Sequence, residues 1–500
     1  MGIVREQAVK NSIISYAGVV LGYINIIILF PAFFTTEQFG LIQLLVQISF
    51  IYSQLSAVGL ITGINRYFPY FKTDDKKHNE FLSYVLFLST SGFIITSILY
   101  FVFRGPIIGA YIDNSKLFTD YFYTLLPLAF FSLLFNILEA LVRVVFKTVF
   151  ATLLKEVVLR LLTIVGIILY ISKIFSFEYF IYYYVATYLI VSMLLFFQFV
   201  HSREYVLKIS FLKIKLEKLL DILKYGIYNL LAGAAMFVGQ KIDIIMIGSM
   251  IGLSIVGVYS LYLYIASIIY IPMKAMSRIS VPIVANAWKE NDIPKIIDIY
   301  NKTSLIQLII GLLLYVGVII NKHNLFLLLK KPEYTDNFGI FYFVGIAILL
   351  DVSVGLNSEI IAASSKYKVD AYANIVLFVT SIIMNLIFIP IWGGIGAAAA
   401  LIITFFVFNL IKSLYLLIKY KMNPVSSRQF VAVIIAVICY FIGDNIPIIN
   451  NLYLDIFVRS SITSIIFLAL VYFTKISVEI NQRVVIYKDY FFNKVFIRKK

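Results

Sequence analysis

Apolar residues run through this chain in long blocks, not with the short period of a soluble helix or strand. Fourteen blocks stand out, at about 12–33, 41–63, 81–103, 120–142, 157–172, 179–200, 226–249, 255–285, 303–320, 338–363, 371–391, 395–418, 429–449 and 454–474. An α-helix rises about 1.5 Å per residue, so roughly 20 apolar residues cross a hydrocarbon core of about 30 Å. The fifth block is the short one and extends toward Lys155. The predicted fold is all-α: a polytopic membrane protein of about fourteen transmembrane helices joined by short polar loops.

The polar gaps carry a sign. With the N-terminus inside, 30 of the 42 Lys and Arg fall in inside segments and 6 in outside loops. That bias alternates loop by loop, so the positive-inside rule supports the helix count and places both termini in the cytoplasm. It also accounts for the net charge of +16 without nucleic acid. A chain that is 61% hydrophobic is no ordinary soluble protein. The histidines, His78, His201 and His323, are scattered between blocks, and Cys439 is the single cysteine. Neither supplies a catalytic centre or a metal site, and no P-loop appears. The expectation is a protein that is not an enzyme and that holds no metal or cofactor.

Between residues 201 and 224, apolar and basic residues interleave, which predicts a basic amphipathic helix on the inner leaflet. It divides the chain into an N-terminal six-helix lobe (1–200), the linker (201–224), a C-terminal six-helix lobe (225–420) and two additional helices with a basic cytoplasmic tail (421–500). A faint repeat relates the lobes. Gln38-Phe39-Gly40 and Ile255-Val256-Gly257 mark glycine turns early in each half, and the next helix ends on Arg66 to Pro69 or Arg278 to Pro282. Pseudo-symmetric lobes around a cavity follow from such a duplication.

Charges inside the blocks are the candidate functional groups. Lys241 and Asp243 lie deep in the seventh block, where an unpaired charge costs at least ~2.5 kcal/mol. On a continuous helix, residues two apart face different ways, so these two cannot pair with each other. Lys241 therefore needs a partner from another helix, water or a ligand. Asp351 sits at similar depth in the tenth block, and Glu359 follows near its inside end. Arg66, Lys274 and Arg278 end two helices on the inside, where anion capture competes with snorkelling to lipid headgroups. Asn25 is a polar position in the first helix, suited to a sugar hydroxyl or to interhelical bonding. Arg459 is expected to meet outer-leaflet headgroups, and the i,i+4 pairs Glu139/Arg143 and Glu156/Arg160 are expected to be structural.

The pattern resembles the polysaccharide-transport (oligosaccharide flippase) branch of the multidrug/oligosaccharidyl-lipid/polysaccharide exporter superfamily. The matching residues are Asn11, Pro31 and Glu37 to Gly40; Asp243 to Gly248, Gly252, Val256 to Tyr259 and Pro272; and Asn374, Asn385, Ile389-Pro390 and Gly393 to Ala398. They span about residues 1 to 420. The resemblance implies a flippase in the bacterial inner membrane that turns undecaprenyl-diphosphate-linked oligosaccharides to the outer leaflet by alternating access, for O-antigen, capsule or exopolysaccharide synthesis. It implies a polysaccharide polymerase and a chain-length regulator as membrane partners. Lys241, Arg66, Arg278, Lys274 and Asn25 then become substrate-binding candidates, and Asp243, Asp351 and Glu359 ion- or proton-coupling candidates. A cation-coupled drug exporter and a peptidoglycan lipid-precursor flippase share the pattern. A membrane-embedded polymerase would need a long outer loop with catalytic basic residues, and the chain has none.

Overall fold

The computed structural model describes residues 2–72, 79–145, 147–201, 216–477, 479 and 481–482. Most of the 201–224 linker and nearly all of the basic tail lie outside the described residues. Every regular element described is helical. Ten helices among the described residues are long and apolar enough to cross a membrane, and eleven when the bent pair Gly339–Ser353 and Asn357–Ala363 is taken as one span.

Three features explain the difference from fourteen. Lys368–Tyr420 is 53 residues of continuous helix by hydrogen bonding, interrupted by non-helical dihedrals at Gly393. At 1.5 Å per residue it would measure about 80 Å, far more than a hydrocarbon core. The rod in fact folds back: a Cβ on Gly396 would lie 2.0 Å from the Phe388 carbonyl oxygen. It therefore turns sharply at Gly393, where the eleventh block gives way to the twelfth. The fifth block is a helix that begins at Val149, passes through a π-helical turn at Leu154–Val158 and ends at Ile171; it carries Lys155, Glu156 and Arg160. The seventh block is broken at its middle, as described below.

The chain divides into two compact units that do not follow chain order. The first is Met1–Leu261 with Leu377–Ala397, and the second is Tyr262–Val376 with Ala398–Lys500. In the first lobe, buried residues of helices Leu60–Phe71, Asn79–Val102, Leu125–Val144 and Phe177–His201 form one apolar cluster that also takes in Ile222. On Asn79–Val102 the opposite face, Ile94, Ile95, Ile98 and Leu99, is exposed. An apolar outer stripe of this kind is what lipid rewards and water would not. The second lobe packs Val284, Ala287, Ile296, Tyr300, Ile360 and Leu416 together.

The two glycine segments of the sequence repeat are not helix-ending turns. Gly40 lies in the first turns of Thr36–Ser56, which opens with a Thr35/Gln38 capping box, and Gly257 lies in Leu253–Ala266. The two helix starts cross in van der Waals contact. A Cβ on Gly40 would be 1.8 Å from the Leu253 carbonyl oxygen, and one on Gly257 would be 2.2 Å from that of Thr36. The Thr36 and Ser254 hydroxyls hydrogen-bond across the crossing at 2.7 Å.

Candidate functional site

In the first lobe, helix Leu216–Gly239 stops, Gln240 and Lys241 form a turn, and a second helix runs over Ile242–Met250. Lys241 has φ −130° and ψ −7°, outside the helical region. The break comes where the chain is pressed against a neighbouring helix: a Cβ on Gly239 would meet Leu377 Cδ2 at 2.4 Å and the Phe378 Cα at 3.1 Å. This corrects the continuous helix expected from sequence, and with it the argument that Lys241 and Asp243 must face apart. Lys241 is half-buried at the start of the short helix, within electrostatic reach of Asp243. Asp243 is buried in the first helical turn, where the helix dipole favours a carboxylate. It accepts hydrogen bonds from the Tyr259 hydroxyl and, at 2.8 Å, from the Ile244 N–H.

Arg66 is exposed on Leu60–Phe71, with its guanidinium 4.2 Å from the Tyr225 ring centroid and 5.8 Å from that of Tyr67. The Tyr67 hydroxyl donates to Asp221 Oδ2 at 3.0 Å. Arg66, Tyr70, Lys218 and Asp221 contribute to the lining of a hollow of about 260 Å³. Lys274 and Arg278 are both exposed on Tyr270–Glu290 of the second lobe. Asn25 is buried in a π-helical turn, Ile24–Leu29, and donates to the Arg160 carbonyl oxygen at 3.0 Å. Glu156 pairs with Arg160 at 2.8 Å, and Glu139 with Lys155 at 3.0 Å and Arg143 at 3.6 Å.

The most extensive polar constellation among the described residues is in the second lobe, around the bent helix pair. Asp351 ends the first arm and Asn357, Ser358 and Glu359 begin the second, with a 42° bend between the arms. Gly355 occupies the bend with φ +65°, a conformation that costs glycine little and other residues more. Asp351 accepts from the Tyr270 hydroxyl and from Asn409 Nδ2, each at 2.8 Å. Asn409 Oδ1 accepts from Asn357 Nδ2 at 2.9 Å, and Asn357 Oδ1 from the Ser358 hydroxyl at 3.3 Å. The Lys412 ammonium donates to Ser358 Oγ at 2.7 Å and pairs with Asp370 Oδ1 at 2.7 Å. Every donor from Lys412 through Asn409 points toward Asp351, so a polarised chain runs from an ammonium to a carboxylate across the bend. Glu359 accepts from the Ser277 hydroxyl at 2.9 Å, and its second oxygen is buried with no hydrogen bond among the described residues.

The sequence marked Asp351 and Glu359 as isolated charges. It missed Tyr270, Asn357, Asp370 and Asn409 as their partners. One signal was available: Asn409 and Lys412 are three apart in a largely apolar stretch of helix, and so share a face.

Arg459 does not meet headgroups. It is buried and pairs with Asp455 at 3.2 Å, while its other nitrogens donate to the Gly443 and Ile446 carbonyls at 2.8 and 2.9 Å. Those carbonyls sit at and just beyond the end of helix Ser427–Asp444, so the guanidinium caps one C-terminal helix and ties it to the other.

No family model and no curated protein matches the chain. Solved structures do. A structure described as lipid II flippase MurJ in an inward closed conformation superposes with TM-score 0.73 at 17% identity, over 93% of this chain and 98% of that one. The chain shares the fold of that structure. An inward-facing multidrug resistance MATE family transporter of the MOP superfamily superposes with TM-score 0.63 at 16% identity, over 79% of this chain and 92% of that one. The likeness of fold thus extends over nearly the whole chain.

Proposed function

We propose that the chain is a flippase that turns undecaprenyl-diphosphate-linked oligosaccharides from the inner to the outer leaflet of a bacterial inner membrane, by alternating access, with both termini cytoplasmic. The observation that carries this reading is a fold shared with a protein named as a lipid II flippase, over 93% of this chain and 98% of that one. In this reading Lys241, Arg66, Arg278 and Lys274 hold the substrate's charge, and Asp351, Glu359 and Asp243 couple an ion or a proton to its movement. Asn25 belongs with them as a polar contact for the sugar: its Nδ2 donates to the Arg160 carbonyl, and its buried Oδ1 has no hydrogen bond among the described residues. The work is transport without bond chemistry, and a polysaccharide polymerase and chain-length regulator would receive the product. The likeness to a multidrug transporter supports a second reading, cation-coupled drug export.

Deletion of the gene distinguishes them. Loss of a flippase leaves lipid-linked oligosaccharide on the inner leaflet and depletes surface glycan, with unchanged drug sensitivity. Normal surface glycan together with drug hypersensitivity would overturn the flippase reading.

A further inference from the structure

Lys412 is 1% exposed about two turns before the end of helix Lys368–Tyr420. An ammonium has three N–H donors and no acceptor. Here the nitrogen donates to the Ser358 hydroxyl oxygen and pairs with a carboxylate oxygen of Asp370, both at 2.7 Å, and it lies over the Phe408 ring, whose centroid is 3.6 Å away. Carboxylate and hydroxyl oxygens are the ligands that hard cations take, and an aromatic face also attracts a cation. Three carboxylates, Asp370, Asp351 and Glu359, lie within electrostatic reach of this one ammonium. Buried charge of this kind persists only when paired.

We propose that the Lys412 ammonium occupies a monovalent-cation site in the second lobe as a tethered resident ion, so that the lobe needs no dissociable Na⁺ or K⁺. Substituting Lys412 would leave a latent site for a small cation between Asp370 and Ser358. The consequence for transport rests on the second lobe being the coupling lobe. It leaves Asp351 and Glu359, which have no cation in contact among the described residues, to carry protons instead of metal ions.

The test reads stability and not transport, so its failure is separate from failure of the flippase reading. The full-length protein is purified in detergent and its thermal unfolding followed in sodium, potassium, propylammonium or choline chloride at equal ionic strength. Wild type should melt at one temperature in all four. Lys412→Ala removes the atoms of a propylammonium; it should melt several degrees lower in choline and recover in propylammonium or sodium. Lys412→Gln, which keeps most of the side-chain volume, gives the same readout if Lys412→Ala does not fold. Adding Asp370→Asn to either variant should abolish the cation dependence. Selective stabilisation of wild type by sodium would overturn the proposal. So would a variant melting equally low in every salt, or a cation dependence that survives Asp370→Asn.

Discussion

Gly40→Ala tests the packing of the first lobe at one atom. The added methyl would fall 1.8 Å from the Leu253 carbonyl oxygen, 2.7 Å from its carbon and 3.0 Å from the Gly257 nitrogen. Carbon–oxygen contacts settle near 3.3–3.6 Å, so the two helix starts must part by about 1.5 Å. Neither listless side chain nor solvent can absorb that shift, because the clashing atoms are backbone. Overpacking of this kind costs about 1–3 kcal/mol. The same separation stretches the 2.7 Å Thr36–Ser254 hydroxyl contact, which adds about 1 kcal/mol. The expected loss is therefore about 2–4 kcal/mol. Gly317→Ala supplies the control, since nothing lies within 4 Å of its would-be Cβ. A glycine-to-alanine change in a helix interior should add roughly 0.5–1 kcal/mol of stability. Heating purified samples and measuring the monodisperse fraction by size exclusion compares the two. If Gly40→Ala survives heating as well as Gly317→Ala, the helix crossing is not the contact described.

Arg459→Leu should be strongly destabilising, by about 3–5 kcal/mol, because it strands Asp455 without its counter-charge; joint replacement of Arg459 and Asp455 by leucine should recover most of the lost thermal stability. Tyr270→Phe removes one of the two side-chain hydrogen bonds to Asp351. Bonds to charged groups are worth about 1.5–3 kcal/mol, so transport per folded protein should fall about tenfold or more, and an unchanged rate would detach Asp351 from coupling. Asn114, Asn291 and Asn450 are exposed and the native Cys439 is buried. Cysteines at Asn114 and Asn450 should label from outside the cell with an impermeant reagent and one at Asn291 should not; the reverse pattern would invert the proposed orientation.

The helical segments were legible because an apolar block of membrane-crossing length is a direct physical requirement of the bilayer. The break at Lys241 was not. Gly239-Gln240-Lys241 contains no proline, and the interruption depends on how closely Gly239 approaches Leu377 and Phe378, far away in sequence. The second-lobe constellation was legible as isolated charges, Asp351 and Glu359, but not as a network. Its members come from four helices, and Asp351 is 58 residues from its partner Asn409. Arg459 and Asp455 had the i,i+4 spacing of an ion pair. Position near a predicted membrane surface outweighed that spacing, and the carbonyls of Gly443 and Ile446 that complete the site carry no sequence signal. The partner of Asn25 was not legible for a similar reason: it is a backbone oxygen, which any residue could supply.

The most direct test of the account reconstitutes purified protein into liposomes with a fluorescent undecaprenyl-diphosphate-linked oligosaccharide and follows the fraction that an impermeant quencher can reach. Wild type should move the lipid across the bilayer. Lys241→Ala, folded and inserted to the same extent, should slow that movement by at least about tenfold, equivalent to about 1.4 kcal/mol, and Lys241→Arg should retain part of it because the charge stays while its geometry changes. Equal transport by wild type and Lys241→Ala, or no transport by wild type at all, would contradict the account.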